Sequence, residues 1–151
     1  MRSDNVTKGS ERAPNRSLFY ALGYTKEELK MLNEGRKILS LPELKVTCTC
    51  VRVPVYRSHS ISVTAQFEQP VDLEKARQAY EGKPGVALMD NPAEGLWPTP
   101  LDSTNGDTCY VGRMRRDMAV DNALALWVVG DQGRKGAALN AVQIAELLIN
   151  R

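Results

Sequence analysis

SISVTAQFE, residues 60–68, sets Ile61, Val63, Ala65 and Phe67 at alternating positions with Ser62, Thr64 and Gln66 between them. A period of two puts the apolar set on one face and the polar set on the other, the pattern of a half-buried strand. Immediately before it, KVTCTCVRVPVY (45–56) is β-branched and alternating as well, so a second strand is predicted there. The polar RSHS, residues 57–60, lies at the junction of the two.

Working outward, TKEELKMLNEGRKIL (25–39) predicts a helix. Thr25 and Glu28 have capping-box spacing, Leu29, Leu32 and Gly35 mark one face, and Pro42 forbids continuation. DLEKARQAYEG (72–82) predicts a short helix with Asp72 as N-cap and Gly82 at its C-terminal end. GVALMD (85–90) reads as a buried strand. NPAEGLWPTPLDSTNGD (91–107), with three prolines and two glycines, reads as a long loop anchored by Trp97. TCYVGRMR (108–115) and ALALWVVGD (123–131) are further strands. RKGAALNAVQIAELLIN (134–150) closes the chain as a helix whose apolar face carries Leu139, Val142, Ile144 or Ala145, and Leu148. Strands in runs with helices at their flanks indicate α+β, with a mixed, largely antiparallel sheet. Residues 1–22 are atypical: 1–17 are polar without periodicity, and the segment is expected to be disordered.

The 151 residues suit one domain with one core. A hydrophobic fraction of 42%, a charged fraction of 25% and a net charge of +2 give no basic face that would suit nucleic acid. The partners expected are small molecules or protein. No apolar run has the length of a membrane span and no signal-peptide core opens the chain, so a cytoplasmic protein is expected. Cys48, Cys50 and Cys109 lack zinc-ligand spacing, no metal is expected, and the thiols should be reduced. The sequence has no glycine-rich dinucleotide fingerprint and no P-loop.

His59 is the only histidine. Its ordinary pKa near 6.5 suits proton transfer at neutral pH, and Ser58 and Ser60 are placed to hydrogen-bond a ring nitrogen. A structural strand-end histidine is the competing reading. Arg52 projects opposite Val51, Val53 and Val55; its planar fork suits a substrate carboxylate or, equally, a protein carboxylate. Glu27 and Lys30 are helix-surface neighbours, and a solvated ion pair accounts for them as they stand. GDQG (130–133), just after a strand and before a helix, is either a tight turn or a place where helix N–H groups meet a polar ligand.

YTKEELKM, RVPVYRSHS, LWPTPLD, VGRMRRD and LWVVGDQGRKGAALNAVQIAELL together resemble the C-terminal part of the aspartate-semialdehyde dehydrogenase family, over residues 23–151. The resemblance implies an α+β catalytic and dimerisation domain similar to the C-terminal domains of aspartate-semialdehyde and glyceraldehyde-3-phosphate dehydrogenases. It implies NADP-dependent interconversion of aspartyl phosphate and aspartate semialdehyde, in amino-acid biosynthesis leading to lysine, methionine, threonine and diaminopimelate. His59 falls on the acid/base histidine and Arg52 on the arginine that grips the substrate's α-carboxylate. Glu27 falls on the glutamate at the amino end, Lys30 on the lysine near phosphate, and Gln132 on a position beside the nicotinamide. The partners implied are the substrate, phosphate, and either a second copy or the N-terminal half.

Departures from the family are large. The dinucleotide-binding domain and the block carrying the nucleophilic cysteine have no counterpart, and Cys48 and Cys50 do not stand where that cysteine does. The chain is therefore expected to be a partial C-terminal domain, inactive by itself and exposing surface that the whole enzyme covers. A non-catalytic dimerisation module and a truncated gene product without activity are the alternatives.

Overall fold

The computed structural model describes residues 23–150, in two units that meet in the sequence between Val53 and Pro54. The expectation of disorder in the N-terminal segment lies outside the described residues.

The first unit is built on helix α1, Lys26–Ile38. Thr25 is its N-cap: the Thr25 hydroxyl accepts from the Glu28 N–H at 3.3 Å, and Glu28 Oε2 accepts from the Thr25 N–H at 2.7 Å. This capping box satisfies two helix-end donors reciprocally. After Leu39 the chain turns through Ser40, at φ 56°, before reaching Pro42. The Arg36 guanidinium then donates to the Leu44 carbonyl at 2.8 Å and holds the return.

Residues 45–56 differ from expectation. They form no ladder with any strand among the described residues. β-branched alternation favours an extended backbone but cannot provide a partner, and a strand exists only as half of a pair. What ties this stretch to α1 is Glu28, whose Oε1 accepts from the Cys50 N–H at 2.8 Å, while the Cys48 thiol donates to the Glu28 carbonyl at 3.7 Å. Val51 and Val53 stay 71% and 58% exposed.

The second unit is a four-stranded sheet of β1 (His59–Gln66), β2 (Val86–Leu88), β3 (Cys109–Arg116) and β4 (Ala123–Gly130), in the order β1-β4-β3-β2. β1 and β3 flank β4 antiparallel, and β2 runs parallel to β3. The mixed, largely antiparallel α+β architecture is therefore observed. Its core is Val111, Met114, Ala123, Leu124, Ala125 and Val129, drawn from β3 and β4. A bulge between Gly112 and Arg115 interrupts β3, with Arg113 at φ 54°. The Asp90 carboxylate accepts from the Arg113 and Met114 N–H groups at 2.9 and 3.0 Å, and fills the gap the bulge leaves. Helix α2 (Leu73–Gln78) is docked there, since Arg77 pairs with Asp90 at 2.7 Å.

Asp72 caps α2 as expected, accepting from the Glu74 and Lys75 N–H groups, but the helix ends at Gln78 with Ala79 as C-cap, and Gly82 belongs to the following turn. β2 is three half-buried residues rather than a buried strand. The proline-rich stretch is shorter on irregular backbone than expected, because it contains a 3₁₀ turn, Pro92–Glu94, and a one-turn helix α3, Pro100–Ser103. Nor does Trp97 anchor it. Trp97 is 42% exposed under the Arg113 guanidinium, and the buried residues are Ser103 and Pro98, whose carbonyl accepts from the Trp127 indole N–H at 3.1 Å.

The closing helix opens with a π-helical turn, Arg134–Ala138, and continues as α4, Leu139–Ile149. It buries none of its residues: Val142, Ile144 and Leu148 are 53%, 51% and 64% exposed. The apolar face is present but stays largely exposed, with Leu139 half-buried at its start.

Candidate active site

RSHS and GDQG, 74 residues apart at Arg57 and Asp131, close on each other. The register explains why: β1 and β4 are antiparallel with His59 opposite Gly130, so the residues just before β1 face those just after β4. The Asp131 side chain is wholly buried. Its Oδ2 accepts from Arg57 Nε at 2.5 Å and from the Asn105 N–H at 2.8 Å. Its Oδ1 accepts from Arg57 Nη2 at 3.2 Å and from the Gly133 and Arg134 N–H groups at 2.8 and 3.0 Å. The Arg57 hydrogen bonds hold the carboxyl far below the usual carboxylate range; burial opposes the shift, and the three backbone N–H groups add to it. A buried charge needs this degree of satisfaction.

Ser58, next to the histidine, sits at φ 77° and is buried. Its N–H donates to Gln132 Oε1 at 2.8 Å, and its hydroxyl lies 2.9 Å from Ser103 Oγ and 3.1 Å from Thr104 Oγ1. The expectation that Ser58 or Ser60 engages the imidazole is not met: Ser58 is committed to α3, and among the described residues no hydrogen bond reaches the His59 ring. His59 itself is exposed at the head of β1. The structure thus brings His59 and Gln132 to one end of one sheet.

The other sequence-predicted residues belong to the first unit. Glu27 and Lys30 are exposed on α1, and no ion pair joins them among the described residues. The adjacent Glu28 is the structural carboxylate. It is buried, and the backbone N–H groups of Thr25 and then Cys50 lower its pKa. Arg52 is exposed, two residues beyond the Cys50 tether, and no protein carboxylate pairs with it among the described residues.

Cys48 does not have the character of an activated nucleophile. Burial first, and then the neighbouring Cys50 and Glu28, push the Cys48 thiol upward, away from thiolate. Among the described residues no cluster of three or more histidine, cysteine or acidic side chains has a geometry that could hold a metal ion.

Asp131, Arg57, Ser103 and Thr104 were not singled out by sequence reasoning. Asp before Gly at a strand-to-helix turn is a signal for side-chain capping, but its pairing with Arg57 has no local signature, because it depends on the β1–β4 register.

The model of the semialdehyde dehydrogenase dimerisation-domain family matches residues 20–135, most of this chain. The chain belongs to the aspartate-semialdehyde dehydrogenase family. It is 50% identical over 128 residues to the aspartate-semialdehyde dehydrogenase of Prochlorococcus marinus, covering 85% of this chain and 37% of that protein. Against the enzyme of Synechocystis it is 48% identical over 138 residues, covering 91% and 41%. Among solved structures, aspartate semialdehyde dehydrogenase II of Vibrio cholerae complexed with ASA superposes with a TM-score of 0.81 at 43% identity, covering 87% of this chain and 39% of that one. The chain spans about two fifths of the length of these relatives.

Proposed function

We propose that the chain supplies the proton-transfer and substrate-gripping part of an aspartate-semialdehyde dehydrogenase, together with its self-association surface. The reaction is the NADP-dependent interconversion of aspartyl phosphate and aspartate semialdehyde. The observation that carries this reading is the clasp of Ser58 to Gln132, which holds His59 at the sheet end where the last helix begins.

In this reading the His59 imidazole takes and returns the proton as a thiol nucleophile becomes acylated and released, a task for which its two ring nitrogens serve as acceptor and donor. Arg52 grips the substrate α-carboxylate through its fork, Glu27 faces the ammonium end, and Lys30 faces phosphate, so opposite charges meet at each end of an amino-acid phosphate. Gln132 fits NADP only at one point. Its carbonyl oxygen is occupied by the Ser58 N–H, leaving the NH₂ as donor to the nicotinamide edge. When bound, NADP supplies the hydride chemistry. The dinucleotide cradle and the cysteine nucleophile come from polypeptide other than residues 1–151.

The test is to add a relative's N-terminal portion to the purified chain and follow phosphate-dependent reduction of NADP⁺ by aspartate semialdehyde. The mixture should turn over and the chain alone should not. His59→Asn should lower kcat about 10²- to 10⁴-fold, whereas Arg52→Leu should chiefly raise KM for the semialdehyde. Equal, mild effects from both would refute the role assignments.

A second reading, a non-catalytic association module, is favoured by the exposed apolar face of α4. A defined dimer in light scattering, combined with no turnover in the complemented mixture, would select it.

A further inference from the structure

We propose that Asp131 and Gln132 are positioning residues for His59. They do so by fixing Ser58 in its left-handed conformation, and Gln132 therefore serves the protein's own loop as well as a cofactor. This inference rests on the reading of His59 as the proton carrier.

The imidazole has no hydrogen-bonding partner of its own among the described residues, so its direction is inherited from the backbone beneath it. That backbone is unusual at one place. Ser58 adopts φ 77°, a region that non-glycine residues enter only when their surroundings enforce it. Three groups enforce it here. The Ser58 N–H is held by Gln132 Oε1 at 2.8 Å, its hydroxyl is held by Ser103 and Thr104 of the α3 turn, and Arg57 on its other side is held by both oxygens of Asp131. Asp131 also gathers the Asn105 N–H after α3 and the Gly133 and Arg134 N–H groups leading to α4. One carboxylate thus joins three segments around the residue that precedes the histidine. A side chain satisfied on this scale has one arrangement, and a histidine riding on it keeps one exit vector.

Because His59 is the only histidine in the chain, its ring gives a single pair of imidazole carbon–proton signals in the NMR spectrum of the full chain. Gln132→Leu removes the acceptor that holds the Ser58 N–H; Gln132→Glu keeps an acceptor but exchanges the NH₂ for a negative charge that moves the ring's chemical shifts, so the readout is the NOEs from the ring protons to the protein. The expected result is that Gln132→Leu and Asp131→Asn weaken the NOEs between the His59 ring protons and the protein, while Gln132→Glu keeps them. Methyl spectra report separately that the sheet is intact, and if Asp131→Asn unfolds, the two Gln132 variants decide the matter. His59 ring NOEs that keep their parent intensities in Gln132→Leu with the sheet intact would overturn the proposal, as would equal loss in Gln132→Leu and Gln132→Glu. In the complemented enzyme, Gln132→Leu should lower kcat more than Gln132→Glu does. If His59→Asn leaves turnover unchanged, the proton-carrier reading fails, while the ring NOEs still report whether the clasp positions the histidine.

Discussion

Gly112→Ala is expected to destabilise the sheet by about 2–4 kcal/mol, and the reason lies in what surrounds Gly112 on β3. A Cβ built there would collide with the Met89 carbonyl oxygen and the Pro98 ring. Neither is the end of a flexible side chain. The Met89 backbone is fixed by its N–H, which donates to the Val111 carbonyl at 2.8 Å, and Pro98 is fully buried beneath the Trp127 indole that bonds its carbonyl. Relief therefore requires moving the chain beyond β2 or the loop through Pro98. Overpacking of this kind costs about 1–3 kcal/mol, and losing the Trp127–Pro98 hydrogen bond adds about 0.5–1.5 kcal/mol. At about 2–4 °C per kcal/mol for a chain of this size, Tm should fall by about 4–16 °C. Gly35→Ala is the control of opposite sign: it lies inside α1 with nothing within 4 Å of its Cβ position, and helix propensity predicts a gain of about 0.5–1 kcal/mol. The assay is thermal unfolding followed by circular dichroism, with tryptophan fluorescence reporting on Trp127. An unchanged Tm in Gly112→Ala would refute the claim that β3 and the Pro98 loop are packed against each other at this point.

Asp131 makes stability depend on acid. Its pKa is depressed in the folded state, so its contribution is complete above the ordinary carboxylate pKa of about 4 and declines as pH falls below that value toward the folded one. Denaturant titrations at stepped pH should show Asp131→Asn with a shallower acid slope than the parent; identical slopes would show that the carboxylate is not held as described. Thr25→Ala removes the side-chain half of the capping box and should cost about 1 kcal/mol, read as faster amide exchange in the first turn of α1. Among the thiols, Cys50 is exposed, whereas Cys48 is half-buried with its thiol pushed up by burial. Iodoacetamide followed by peptide mass analysis should find Cys50 modified before Cys48, and the reverse order would contradict the packing of Cys48 against α1.

Periodicity alone located α1, β1, β3, β4 and the last helix, because an amphipathic repeat is a local property and each of these elements satisfies its own pattern. The Thr25–Glu28 capping box was legible for the same reason, since both partners lie within one turn. Among the candidate site residues, position in the sequence and resemblance pointed to His59, Arg52, Glu27, Lys30 and Gln132, but not to what surrounds them. Residues 45–56 carry a strong strand pattern without a strand to pair with among the described residues, and α4 carries an apolar face that stays largely exposed. Pairing and burial are relations between segments, so no local pattern can guarantee them. The same holds for Asp131: its glycine-flanked turn is local, but the arginine that neutralises it is brought over by the antiparallel register of β1 and β4. Which segments extend or coil, and which side chains have the chemistry for proton transfer, follow from local pattern and residue type. That Gln132, Ser103 and Thr104 hold Ser58, and Asp131 its neighbour Arg57, follows from tertiary contacts, because a buried carboxylate and a left-handed serine are stable only when distant chain segments converge to satisfy them.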